Sequence, residues 1–405
     1  MADGPGPPVT GTVHVASQAD TTMLADVAVM LRSLLLANPR ERVEIHFMHA
    51  PTQPGAEIEA LGLLATGLGA AWSPVVIEPE LLEGFPFVAH YGGRAACYRL
   101  LLPRLLPSLG RVLYLDADVM AVDAVGPLWE LDLEGCAVAA VTNPLLPDMV
   151  DRVTGELGLS RAEDYFNSGV LLLDLERLRA TGLAAELERF ARQPPVPIPW
   201  PDQDTLNAVL WRHRKELHPR WNALTGMFRL PARLMPWPEE EVAAARAHPA
   251  LLHFEGPHKP RHPRFAHPHR DQWFAHLGAT PWAVPPTSPT TWDRIVRVLP
   301  LRWQWRLARG LPRPAALSTR RPVGRLARRL YRTAVPRRSG SAIVDLVEAL
   351  SRSGRAVRFV QVGSNDATSD DPLRPYVDAW GWTGVLVEPV PYVYERLRAG
   401  EPGER

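Results

Sequence analysis

Residues 111–122 read RVLYLDADVMAV, and the rest of the chain is arranged around them. Val112, Leu113, Tyr114 and Leu115 form a short β-branched and aromatic apolar run, the pattern of a buried strand. Asp116 and Asp118 follow directly. Residues two apart in an extended chain point the same way. Both carboxylates therefore project together from the strand's carboxyl end, where open α/β sheets bind their ligands. Two anions held that close raise each other's pKa unless a cation lies between them. Oxygen ligands favour a hard divalent ion, Mg²⁺ or Mn²⁺. Taken alone, the pair also fits two solvated turn residues capping a strand end.

Outward from this stretch, Val9–Val15 alternates as a first strand. Met23–Leu36 has helical apolar spacing and stops at Asn38-Pro39, and Val43–Met48 reads as a second strand. Gly84–Gly93 is a flexible loop ahead of a helix over Arg94–Leu102. Past the aspartates, Gly135–Thr142 and Tyr165–Leu175 are strands, the latter entered through a tight Asn167-Ser168-Gly169 corner. Glu176–Thr181 is helical, and Gly182 is placed to end it with positive φ. Asp202 stands where an N-cap belongs, before a helix striped by Leu206, Val209 and Leu210. His253–Arg264 reads as a polar, Pro-rich loop. The βαβ order predicts an α/β fold with a mixed, mostly parallel sheet flanked by helices.

The chain has 405 residues, 46% hydrophobic and 22% charged, the balance of a soluble globular protein. Only Lys215 and Lys259 are lysine, so each draws notice in an arginine-rich chain. Between Thr291 and Arg338 fourteen Arg face one acid, Asp293, which leaves the remainder of the chain acidic. Cys97 and Cys136, the only cysteines, build no disulfide framework or zinc site and suit a reducing compartment. MADGPGPPVT at the amino terminus has neither a basic nor an apolar leader region, and no apolar run approaches a bilayer span. The expected location is cytoplasmic, with the basic segment able to rest on the inner face of the plasma membrane. The expected domains are 1–278, a basic Pro/Arg-rich linker over 279–340, and an incomplete unit over 341–405. Trp292, Trp303 and Trp305 interleave with the linker arginines, which fits a disordered tether or a segment lying on an anionic membrane surface. The basic residues lie outside any nucleic-acid-binding module, so nucleic acid is not an expected partner.

Four further clusters bear on the aspartates. His253-Phe254-Glu255-Gly256-Pro257-His258-Lys259-Pro260 offers an imidazole to complete a divalent site, a glycine for close backbone approach and a lysine to neutralise pyrophosphate. It also fits a polar surface loop. Asp202-Gln203-Asp204 could set an acid and an amide against sugar hydroxyls, or be an acidic first helical turn favoured by the helix dipole. Asn167-Ser168-Gly169 reads equally as a strand-entry turn. Arg99, considered with Asp20, is either a buried ion-pair partner or a phosphate and sugar contact.

In this order and at these separations, the clusters resemble glycosyltransferase family 8, retaining enzymes of the GT-A fold that include bacterial lipopolysaccharide glucosyl- and galactosyltransferases. The resemblance spans about residues 9–265. It rests on Ala96–Pro103, Leu113–Asp118, Phe166–Leu175, Asp202–Asn207 and His253–Pro260. It implies Mn²⁺ (or Mg²⁺) bound by Asp116, Asp118 and His253, and a UDP-sugar donor whose diphosphate meets Gly256 and Lys259. Asp20 would face the uracil, and Arg99, Asn167, Asp202 and Gln203 would surround the donor sugar. Asp202 and Gln203 are the catalytic candidates, with Gln203 as a positioning group. The acceptor would be a glycan or lipid-linked glycan.

Three positions depart from the family pattern. Met23 stands where a uracil-stacking Tyr is common, Cys97 replaces an aromatic, and Arg261 replaces a Trp. They support a competing reading, a nucleotide-sugar-binding or scaffold protein whose transferase site has decayed.

Phe359–Leu397 resembles the opening of an FkbM-type methyltransferase, with a Gly turn after one strand and Glu388 after another. Too few residues follow for a complete methyltransferase sheet. S-adenosylmethionine is therefore not an expected cofactor, and the chain would be a fragment of a bifunctional protein or carry a vestigial tail.

Overall fold

A computed structural model of the protein describes residues 11–86, 95–145, 147–256, 258–263 and 265–286, with two strands at 358–362 and 383–387. Most of the expected loop before residue 94 and the linker beyond 286 lie outside the described residues. The chain divides into two compact units, residues 1–288 and 289–405.

Among the described residues, the first unit contains ten strands: β1 (Thr12–Gln18), β2 (Arg42–His49), β3 (Ala71–Val76), β4 (Arg111–Leu115), β5 (Val119–Ala121), β6 (Val138–Thr142), β7 (Phe166–Asp174), β8 (Arg214–Glu216), β9 (Ala223–Leu224) and β10 (Leu251–His253). Seven form the main sheet in the order β3-β2-β1-β4-β7-β6-β8, and the others form a small sheet, β5-β10-β9. Every main-sheet pair is parallel except those made by β7, which runs against β4 and β6. The sheet is mixed and mostly parallel, as the element order predicts.

One apolar core on one face joins Val13, Val15 and Ile45 to the helix Leu24–Ala37, and extends to Leu251 and Leu252 of β10. A second core holds Val112, Tyr114, Leu171 and Leu173 against Leu100, Leu101, Leu206 and Leu210. The central strands are thus buried on both faces, which explains their near-continuous apolar sequences.

Of the first expected strand, Val9 and Thr10 lie outside the described residues, and β1 runs over Thr12–Gln18. Three expectations need correction. Asn167-Ser168-Gly169 lies inside β7, not at a turn before it, and all three residues are buried. Asp202 sits within the first turn of the helix Pro201–Leu210, because Pro201 takes the first helical position and Trp200 precedes it. His253 ends strand β10, because its neighbours pair with β5 and β9 on both sides. Gly182 does adopt positive φ, at 77°.

The second unit contributes β11 (Arg358–Val362) and β12 (Thr383–Val387), which pair in parallel. Among the described residues, no helix is long and apolar enough to cross a membrane.

Candidate active site

The topology assembles the site. β1 and β4 run parallel with Ala16 level with Tyr114, so Asp20 and Asp116 leave the same sheet edge. β7 runs the other way with Val170 opposite Leu115. That reversal delivers its first residues, rather than its last, to the edge where Asp116 emerges. Gly169 and Asp116 are joined directly, the Asp116 N–H donating to the Gly169 carbonyl at 2.8 Å. β10 pairs antiparallel with β5, His253 opposite Val119, which sets the imidazole beside Asp118.

Asp116, Asp118 and His253 each turn one ligand atom toward a common point, all within 4.8 Å of one another. His253 Nε2 is 3.3 Å from Asp118 Oδ1 and 3.9 Å from Asp116 Oδ2. The donor set, two carboxylates and an imidazole, suits a divalent ion such as Mn²⁺. A Cβ on Gly169 would lie 2.8 Å from Asp116 Oδ2 and collide with the His253 ring, so this position has no room for a side chain.

The ring's tautomer follows from a chain of donors. The Gly169 N–H can only donate, and it does so to Asn167 Oδ1 at 2.9 Å. Asn222 Nδ2 donates to that same oxygen at 2.8 Å, which turns Asn222 Oδ1 toward His253 Nδ1 at 2.9 Å. The acceptor there requires a proton on Nδ1, so in the neutral ring the Nε2 lone pair faces the carboxylates. Asn222 is fully buried. Its short sequence context, Trp221-Asn222-Ala223, carries no signal that marks it in advance. Asn222→Ala is expected to weaken Mn²⁺ binding by roughly 10–100-fold, the range for a lost ligand-orienting partner. Calorimetric titration on the folded variant would show it, and unchanged affinity would remove Asn222 from this role.

Lys259 pairs with Asp118 and also donates to the Phe254 carbonyl at 3.1 Å. Burial favours the uncharged carboxyl at Asp118, yet Lys259 and His253 outweigh it and hold the pKa far below the usual range. Burial works against charge on Lys259 and His253 too, and Asp118 overrides it, raising both. Gly256, at φ 100°, supplies the bend between His253 and Lys259 that a side chain would resist.

Arg99 is 6% exposed and its bonds go to protein groups. It contacts Asp116 at 2.7 Å, the Ser168 carbonyl at 2.7 Å, Ser168 Oγ at 3.1 Å and Asp202 at 3.4 Å, and lies over the Tyr114 ring. Of the two readings open from sequence, the ion pair is the one these contacts describe. Tyr114 donates to the same Asp116 oxygen at 2.7 Å. Ser168 is the hub that sequence reasoning passed over: its N–H donates to Gln203 Oε1 at 3.0 Å and its hydroxyl to Asp202 at 3.0 Å. Burial pushes the Asp202 carboxyl up, with Arg99 opposing. Asp204 is a different matter. Fully buried, it binds Arg152 in a two-pronged pair and accepts from Tyr165 at 2.7 Å, so it fastens the helix rather than facing the site.

Asn167 spends its oxygen on Gly169 and Asn222, and its amide donates to Asn143 at 3.0 Å. Asp20 caps the short turn after β1, accepting from the Thr22 N–H at 2.8 Å and the Thr22 hydroxyl at 2.6 Å. Two departures from the family pattern meet nearby. Arg261 pairs with buried Asp26, donates to the Thr22 carbonyl at 2.9 Å and reaches the Met23 sulfur at 4.0 Å. Burial raises Asp26 to about 6 even beside that guanidinium.

General stress protein A of Bacillus subtilis is 28% identical over 278 residues, covering 67% of this chain and 94% of that protein. Lipopolysaccharide 1,2-glucosyltransferase of Escherichia coli is 26% identical over 272 residues, covering 67% and 79%. Galactosyltransferase LgtC, solved with donor and acceptor sugar analogues, shares the fold: TM-score 0.58 and 22% identity, over 72% of this chain and 99% of that one. The family described as Glycosyl transferase family 8 matches residues 14–263, a span that contains each of the side chains gathered around Asp116 and Asp118. The chain belongs to glycosyl transferase family 8.

Proposed function

We propose that this glycosyltransferase moves a hexose, glucose or galactose, from a UDP-sugar to a glycan or lipid-linked acceptor, with retention of anomeric configuration and with Mn²⁺ (or Mg²⁺). The observation that carries the reading is the convergence of Asp116, Asp118, His253 and Lys259 at one sheet edge. Beside it, Ser168 is bound to Arg99, Asp202 and Gln203. Asp116, Asp118 and His253 would hold the ion, which supplies positive charge against the diphosphate as it departs. Lys259 neutralises the same charge as a point cation. Arg99 fixes Asp116 and Asp202 in place, so neither must reorganise during reaction. Gln203 is the positioning group for the donor sugar, its own amide held by the Ser168 N–H at 3.0 Å and by the Tyr165 hydroxyl at 3.2 Å, and no side chain is assigned as a nucleophile. Acceptor attack then occurs on the face from which UDP leaves.

In the metal-free chain Lys259 already neutralises Asp118, so lysine and ion compete for one carboxylate. The test is UDP release from a panel of UDP-hexoses with and without Mn²⁺, run on the chain and on Lys259→Ala. The chain should release UDP only with metal. Lys259→Ala should bind Mn²⁺ alone roughly tenfold more tightly, because the competing charge is gone. It should nevertheless turn over about a hundredfold more slowly, because the diphosphate loses its lysine. Metal-independent release would overturn the role given to the ion, and no release with any UDP-hexose would instead support a decayed site that only binds. The parallel pair β11 and β12 supports the reading of the second unit as the start of another α/β domain, with no methyl transfer expected. Contact of Thr291–Arg338 with an anionic membrane surface stays part of the proposal and lies outside the described residues.

A further inference from the structure

Among the described residues, one other cluster turns three metal-ligating side chains toward a common point: His14, Glu44 and His46. It lies at the opposite end of the sheet. His14 precedes the end of β1 by four residues, roughly 13 Å along an extended strand. Glu44 and His46 are two apart on β2 and share a face, and the register sets His14 directly opposite Glu44. His14 Nδ1 is 3.1 Å from His46 Nε2 and 3.4 Å from Glu44 Oε2, and His46 Nε2 is 4.0 Å from Glu44 Oε1.

These spacings have a chemical meaning. Bonds of about 2.0–2.1 Å to a tetrahedral zinc ion place ligand atoms roughly 3.3 Å apart. The two shortest separations bracket that value, and the third, from His46 to the other carboxylate oxygen, is 4.0 Å. The carboxylate is itself held: Ser73 Oγ donates to Glu44 Oε1 at 2.7 Å, the kind of supporting contact that orients a metal ligand. Burial lowers the pKa of both imidazoles, with Glu44 opposing, which favours the neutral rings that a metal requires. The side chains of His14 and Glu44 are 22% and 28% exposed, so the cluster opens to solvent and leaves a fourth position for water.

We propose that His14, Glu44 and His46 form a binding site for a borderline divalent ion of the zinc class, joining β1 to β2 at the base of the sheet. Two nitrogens and one oxygen favour zinc over manganese, whereas the site at Asp116 and Asp118 offers the reverse balance. The two sites therefore sort two kinds of cation by ligand chemistry.

The experiment titrates the metal-stripped full chain with Co²⁺ alone, whose visible absorption is strong in four-coordinate sites. The chain and its Asp118→Asn variant should both develop the band with one equivalent, and Zn²⁺ should bleach it where excess Mn²⁺ does not. His14→Asn and His46→Asn should abolish it, and Glu44→Gln should weaken binding at least about tenfold. A band that persists in His14→Asn, or never forms in the unaltered chain, overturns the proposal. A second measurement needs no substitution. With Mn²⁺ present in excess, Zn²⁺ at a hundredfold over its Kd should raise the Tm of the chain by roughly 5 °C. No shift would be equally fatal.

Discussion

Replacing Asp118 by Asn is expected to lower Mn²⁺-dependent UDP release by about a thousandfold, or about 4 kcal/mol of barrier. Asparagine keeps the shape of the side chain and removes its charge. That charge holds two partners, the His253 ring nitrogen at 3.3 Å and the Lys259 ammonium. It is also, among the described residues, one of the two carboxylates that the proposed ion site draws on. With Asn present, Lys259 loses its paired carboxylate, and His253 keeps Asp116 at 3.9 Å as its nearest one. The variant should therefore also lose stability, by about 3–5 kcal/mol as for other broken buried pairs. Melting curves and Mn²⁺ calorimetry on the same sample separate the two losses. A folded Asp118→Asn chain that binds Mn²⁺ as tightly as the unaltered protein would remove this carboxylate from the site.

Gly169→Ala should do nearly as much harm with every ligand left in place. The added methyl would sit 2.8 Å from Asp116 Oδ2 and inside the contact distance of the His253 ring. Neither neighbour can retreat easily. Asp116 is gripped by Arg99 and Tyr114, each at 2.7 Å, and His253 by Asn222 at 2.9 Å. We expect Mn²⁺ affinity to fall by about a hundredfold and the fold to lose about 1–3 kcal/mol, the usual cost of overpacking a rigid interior. An Ala variant with unaltered metal affinity would show that the edge of β7 yields more than its hydrogen bonds suggest.

Much of the sheet was legible because its central strands are apolar runs bounded by helices of clear period. β3 was not. Its sequence AWSPVV holds a proline, which argues against a central strand, and its residues are half-exposed to exposed. The contradiction resolves because β3 is the edge of the sheet, where a missing N–H costs little. The helix Gly55–Gly67 escaped for another reason: its apolar residues encircle it without a clear stripe. Asn167-Ser168-Gly169 suggested a turn from composition, since these residues favour turns when their side chains must satisfy the local backbone. Here Arg99, Gln203 and Asn222 take up those groups instead, and the segment is free to run as strand.

The residues gathered at the site were legible from the family pattern, but their division of labour was not. Asp202 and Asp204 look alike in sequence, yet one borders Ser168 and the other is locked to Arg152 and Tyr165. Only the helical turn between them decides which faces the edge. Asn222 and Ser168 act through neighbours distant in sequence; nothing local announces Asn222, and Ser168 stands out only within the Asn167-Ser168-Gly169 stretch that reads as a turn.

His253 belongs to the small sheet β5-β10-β9, while Asp116 leaves the end of β4 in the large one. The ligand set therefore straddles a seam, and the last ligand arrives about 135 residues after the first. During synthesis the large sheet can be complete while the cation grip is still missing its final prong. On the proposed function, a ribosome-bound chain at that stage would have its scaffold and lack the cation site, and activity would wait until His253 has emerged.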